Sequence, residues 1–177
     1  DLAFQFARAA DRGARLIYND YGNETINAKS TAIYNLLAGM IARGVPVHGV
    51  GLQLHITMAG VDLTSVAQNM QRFAALGLEI YITELDVRVP LPVTASALET
   101  QSSVYRGVLN ACLGQPLCKA FQTWGFTDAH SWIPGSYSGF GAPLILDEGY
   151  RPKPAYEALA QRLSQCPVRS QFPADSQ

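Results

Sequence analysis

Apolar residues recur three and four positions apart in five stretches of the chain, and run together or alternate in four shorter ones between them. The clearest helical stripe puts Ile33, Leu36, Leu37, Met40 and Ile41 on one face of residues 27–42, with Gly44 suited to the C-cap. Residues 63–76 form a second amphipathic stretch, with Asp62 placed to cap its start and Gly77 its end. Helices are also predicted over residues 2–10, 95–113 and 153–163, the last with Pro152 and Pro154 near its start. Strands are predicted at 14–18, 47–54, 78–83 and 119–124. Helices alternating with strands at this spacing predict a parallel β/α architecture. Four strands cannot close a (β/α)8 barrel, which takes about 250 residues. The pattern fits the back half of one such domain, over residues 1–164, followed by a polar tail at 165–177 that is expected to be loose after Pro167.

Composition narrows the partners. Of 177 residues, 48% are hydrophobic and 15% charged, enough to build a sizeable core. A formal net charge of −1 argues against nucleic acid or an anionic membrane surface as the main partner. No apolar run approaches the roughly 20 residues that span a bilayer. The opening Asp1-Leu2-Ala3-Phe4 lacks the basic region and cleavage site of a signal peptide. Cys112 and Cys118 enclose five residues including Gly114 and Pro116, so either a short disulfide loop or a pair of buried thiols fits. Cys166 is left over. Asn23-Glu24-Thr25 is a glycosylation sequon of little weight, since such triplets occur by chance.

The chemistry gathers where strands end. The first strand leads into Asn19, Asp20 and Tyr21, the second into Gln53 and His55, the third into Glu84 and Asp86, the fourth into Trp124 and Asp128, with Trp132 behind. Residues two apart on a strand share a face, which pairs Gln53 with His55 and Glu84 with Asp86. In β/α barrels that end of the sheet carries the active site. Paired carboxylates perform glycoside hydrolysis, and indoles stack on sugar faces. No phosphate loop, Gly-x-Ser-x-Gly turn or cluster of metal ligands occurs, so no cofactor or metal is expected. Asp20 and Asp128 read as loop caps, His48 and His130 as structural residues without partners, Lys29 and Arg88 as solvated, and Glu24 as facing the next helix.

These motifs resemble a known family. Tyr18-Asn19-Asp20-Tyr21, Gly49-Val50-Gly51-Leu52-Gln53-Leu54-His55, Ile82-Thr83-Glu84-Leu85-Asp86 and Thr123-Trp124-Gly125-Phe126-Thr127-Asp128 with Ser131-Trp132 are similar to those of family-10 glycoside hydrolases, the endo-β-1,4-xylanases. The ending Leu144-Ile145-Leu146-Asp147 with Lys153-Pro154-Ala155-Tyr156 agrees, so the likeness runs to about Leu163. The resemblance implies a (β/α)8 TIM barrel, of which this chain supplies strands five to eight. It implies a secreted enzyme that hydrolyses xylan or xylo-oligosaccharides with retention. Glu84 matches the nucleophile, His55 the histidine bonded to it, and Asp86 the acid that orients the histidine. Gln53 matches a glutamine near the sugar, Trp124 and Trp132 the walls of the nucleophile's subsite, Tyr21 an aromatic on the leaving-group side, and Asn19 its neighbour in the motif. The resemblance also implies a Cys112–Cys118 disulfide.

Two departures carry consequences. Gly22 stands where the family often has asparagine. The acid/base glutamate, carried by the family in a W-D-V-x-N-E motif after the fourth strand, has no counterpart in these residues. A retaining glycosidase needs both carboxyls, roughly 5 Å apart. The chain is therefore expected to be inactive alone and to need the N-terminal half of the same barrel as partner. Other readings are a β-1,4-glucanase or cellobiohydrolase-type glycosidase, an inactive carbohydrate-binding half-barrel, and an unrelated doubly wound α/β domain.

Overall fold

Each predicted helix forms, and three of them start on side-chain caps, from Asn27, Asp62 and Thr94. A computed structural model describes residues 1–166, so the predicted tail lies outside the described residues from Pro167 onward. The helices are α1 (Leu2–Ala10), α2 (Ala28–Ala42), α3 (Leu63–Ala74), α4 (Ala95–Leu113), a one-turn α5 (Ile133–Ser136) and α6 (Pro154–Ser164). Asn27 and Ser30 form a reciprocal capping box at α2, and Asp62 accepts from the Ser65 amide at α3. Gly44 and Gly77, just past α2 and α3, take the left-handed conformation that ends a helix.

The strands are β1 (Ile17–Asp20), β2 (Gly49–Leu52), β3 (His55–Thr57), β4 (Glu79–Pro90), β5 (Cys118–Thr123) and β6 (Phe140–Gly141). Four run parallel in the order β1-β2-β4-β5, one side of a β/α barrel. Two expectations need correcting. The strand expected at 78–83 continues to Pro90, because β3 pairs with its upper half in parallel and β6 in antiparallel fashion. The strand expected at 47–54 ends at Leu52, and β3 starts afresh at His55, because Leu54 adopts φ 62° and interrupts the pleat. Among the described residues β1 pairs only with β2, and β5 only with β4, which leaves two open sheet edges.

One irregularity places the chemistry. Leu52 pairs with Ile82 and His55 with Asp86, so two residues of one strand face three of β4. On the other side Ile82 pairs with Phe121 and Leu85 with Thr123, so β4 again carries one residue more. Thr83-Glu84 is therefore a β-bulge against both neighbours. Burial shows the phase change: Ile80 and Ile82 lie in the core, then Leu85, Val87 and Val89. Strict alternation would have sent Glu84 into the core beside Ile82. The bulge turns it to the face that Thr83 already occupies.

The core lies between the sheet and its helices. Ile33, Leu37 and Met40 of α2, Val66, Met70 and Phe73 of α3, and Tyr105 and Val108 of α4 pack on Val50, Leu52, Ile80, Ile82 and Leu85. A disulfide joins Cys112 at the end of α4 to Cys118 at the start of β5, and Cys166 is a free thiol. Asn23 is buried and donates to the Gly51 carbonyl, so the folded chain offers no accessible acceptor at its sequon.

Candidate active site

The strand ends deliver one continuous cluster. Asn19, near the end of β1, donates from Nδ2 to Glu84 Oε1 at 2.8 Å and accepts at Oδ1 from the Thr83 hydroxyl at 2.9 Å. One amide thus grips both residues of the bulge. Gly51 lets it approach: a Cβ there would collide with the Asn19 carboxamide.

His55 bridges the two carboxylates. Its Nδ1 lies 2.8 Å from Asp86 Oδ2 and its Nε2 3.3 Å from Glu84 Oε2. Asp86 is fully buried, and its Oδ2 also accepts from the Trp132 indole at 2.8 Å. With Nδ1–H committed to Asp86, Nε2 can donate to an ionised Glu84 only when the ring is doubly protonated. The electrostatics agree. Burial pulls the His55 pKa down, but the hydrogen bond and charge of Asp86 and the charge of Glu84 outweigh it, leaving it raised from 6.5.

Aromatic rings close the cluster. Trp132 packs edge-on against His55 at 5.0 Å between centroids and against Tyr137 at 5.5 Å, and Trp124 meets His55 edge-on at 6.2 Å. Trp124 stays half exposed. Tyr21, Gln53, His55 and Trp132 line a common cleft of about 350 Å³ with Gly22, Glu24 and Tyr137. The eight site residues expected from the sequence thus gather at one rim. Gln53 and His55 converge there although Leu54 breaks the alternation that was to bring them together.

Several expectations are corrected. Lys29 is not free in solvent: its Nζ lies 2.8 Å from Asp20 Oδ1 and 3.6 Å from the centroid of the Tyr21 ring. Arg88 is not free either, stacking on Tyr137 and donating to the His55 carbonyl. Glu24 borders the cleft and does not merely face α2. Asp128 does cap its loop through the Leu144 amide, but it also forms a buried ion pair with Lys153. His48 and His130 have partners after all, Arg8 and the Tyr150 hydroxyl. Sequence reasoning did not single out Thr83 or Tyr137. Thr83 stands in the same strand-end motif as Glu84, whereas Tyr137 is reached only through the loop's path.

A carboxylate braced by an amide and an imidazole, at the C-terminal rim of parallel strands and walled by indoles, defines a barrel of the glycoside-hydrolase type. The sequence agrees with this class, the family model "Glycosyl hydrolase family 10" matching residues 1–162. The chain belongs to that family. It is 46% identical over 166 residues to endo-1,4-beta-xylanase B of Thermotoga neapolitana, covering 93% of this chain and 48% of that protein. It is 41% identical over 163 residues to an endo-1,4-beta-xylanase of Agaricus bisporus, covering 92% and 49%. Native xylanase 10B of Thermotoga maritima superposes with a TM-score of 0.90 at 47% identity, covering 93% of this chain and 51% of that one. Xylanase 10B of Thermotoga petrophila, solved in complex with xylobiose, does so with 0.90 at 46% identity, covering 93% and 50%. The chain spans about half the length of the relatives it matches.

Proposed function

We propose that this chain is the C-terminal half of the catalytic barrel of a retaining endo-1,4-β-xylanase, supplying strands five to eight. The carrying observation is Glu84, held by Asn19 and by His55, on which two indoles pack; the named activity of the relatives supports the choice of xylan. Glu84 attacks the anomeric carbon and forms a glycosyl-enzyme, which water then hydrolyses. Asn19 Nδ2 and His55 Nε2 lie 2.8 and 3.3 Å from the two Glu84 carboxylate oxygens and hold them in place. Asp86 acts through His55, fixing its ring and tautomer. Trp124 and Trp132 wall the sugar bound over Glu84, Gln53 reaches it from the break between β2 and β3, and Tyr21 stacks on the leaving-group side.

Asp86 cannot serve as the second catalytic carboxyl, because it is buried and already committed to His55 and Trp132. The acid/base comes from the N-terminal half of the barrel, which pairs with the free edges of β1 and β5. The Cys112–Cys118 disulfide supports secretion into an oxidising compartment. The test uses the complete barrel. Glu84→Gln lowers xylan hydrolysis by about a thousandfold or more while oligosaccharide binding persists. A 2-fluoro xylobioside labels the peptide that contains Glu84. Turnover that survives Glu84→Gln, or hydrolysis of xylan by the 177-residue chain alone, overturns the proposal.

A further inference from the structure

Lys29 breaks a local rule. It occupies the first turn of α2, where the unpaired backbone amides make a cation unfavourable. Its ammonium group bends back instead of reaching into solvent. Nζ lies 2.8 Å from Asp20 Oδ1 and 3.6 Å from the Tyr21 ring centroid, within cation–π range. Asp20 is itself well anchored. Its Oδ1 also accepts the Tyr21 amide at 2.8 Å, and its Oδ2 the Tyr18 hydroxyl at 3.1 Å. Burial favours the neutral acid, but Lys29, the Tyr21 amide and the Tyr18 hydroxyl together hold Asp20 below its ordinary pKa. The anchor therefore stays charged at neutral pH.

Tyr21 is 64% exposed, and no hydrogen bond holds its hydroxyl among the described residues. The Lys29 ammonium group lies over one face of the Tyr21 ring. The ring borders the cleft that Gln53, His55 and Trp132 also line. We infer that Lys29 is a positioning residue for carbohydrate binding: with Asp20 it clamps one face of Tyr21 and leaves the other as a preset platform for a sugar ring on the leaving-group side. This rests on the xylanase reading above. A free tyrosine would have to be ordered as substrate binds, and that cost would weaken every ligand reaching it.

The experiment compares Lys29→Met and Lys29→Arg with the parent in the complete barrel. Lys29→Met raises KM about three- to tenfold for xylo-oligosaccharides long enough to cross the bond being cleaved and reach Tyr21. It leaves kcat, and the hydrolysis of xylobiosyl fluoride, whose fluoride leaving group is too small to reach Tyr21, unchanged. Lys29→Arg restores the KM, since a guanidinium keeps both the ion pair and the ring contact. Equal losses on both substrates, with a lowered Tm, would mean a merely structural role and overturn the inference, as would an unchanged KM on the long substrates. A second readout does not depend on turnover. Carbon-13 relaxation of the Tyr21 ring shows a rigid ring in the parent and a mobile one in Lys29→Met; equal mobility refutes the clamp. If the parent barrel cleaves no xylan, the xylanase reading fails, and the relaxation data still decide whether Lys29 fixes Tyr21.

Discussion

Asp86→Asn removes one charge from the site and almost no volume. The carboxamide can still accept from His55 and Trp132, but as a neutral group. A hydrogen bond to a charged partner is worth about 1.5–3 kcal/mol and one between neutral groups about 0.5–1.5 kcal/mol. Two such bonds, each 2.8 Å long, predict a loss of about 2–3 kcal/mol in stability at acidic pH. With Asp86 neutral, burial is opposed only by Glu84, and the His55 pKa falls from its raised value. The sign with pH follows. A folded-state pKa raised above the unfolded one gives stability that is complete below pH 6.5 and lost as pH climbs through the folded value. The gap between parent and variant is therefore widest near pH 5 and narrows above neutrality to the part owed to Trp132. The chain has three histidines, so proton NMR titration can follow each one. His48 is an internal control: burial, then Arg15 and Arg8, hold its pKa below 6.5, and Asp86→Asn leaves it alone. A His55 titration that does not move, or a stability gap independent of pH, would refute the reasoning.

Other changes test the scaffold. Gly51→Ala drives a methyl group against the Asn19 carboxamide, breaking its bonds to Glu84 and Thr83; turnover of the complete barrel falls and stability drops by about 1–3 kcal/mol, read by urea titration. Lys153→Met strands Asp128 as a buried unpaired carboxylate and costs about 3–5 kcal/mol by the same assay, while adding Asp128→Asn recovers part of the loss. Burial raises the Asp128 pKa against the pull of Lys153, so without Lys153 it rises further. Reducing Cys112–Cys118 frees a loop with a sequence separation of 6, for which chain entropy predicts about 2 kcal/mol and a lower Tm in dithiothreitol.

Lys29 and Lys153 show how one residue type divides by context. Each stands at the start of a helix, and each forms an ion pair with an aspartate, Asp20 or Asp128. The Lys153 pair is buried and also donates to the Ala142 and Leu144 carbonyls, which ties the loop carrying the indoles to α6. The Lys29 pair stays near solvent, where its value is the orientation of Tyr21.

The sequence by itself determined the helices, their caps and the parallel strands between them, because periodicity, capping and turn chemistry act over a few residues. It also named the residues at the rim, since strand ends are visible wherever an apolar run meets Asn, Gln, Glu or Trp. It could not place Glu84. Read as a regular strand, Ile80, Ile82, Glu84 and Asp86 share one face, which would put two carboxylates in the core beside two isoleucines. Only the tertiary structure resolves this, by the bulge at Thr83-Glu84. A bulge is a mismatch in length between one strand and its neighbours, and those neighbours lie about 30 to 40 residues away in the chain. Local sequence carries no record of that register. The partners of His48, His130, Arg88 and Lys29 were hidden for a related reason, each contact joining a helix, loop or turn to another element that only the folded chain brings beside it.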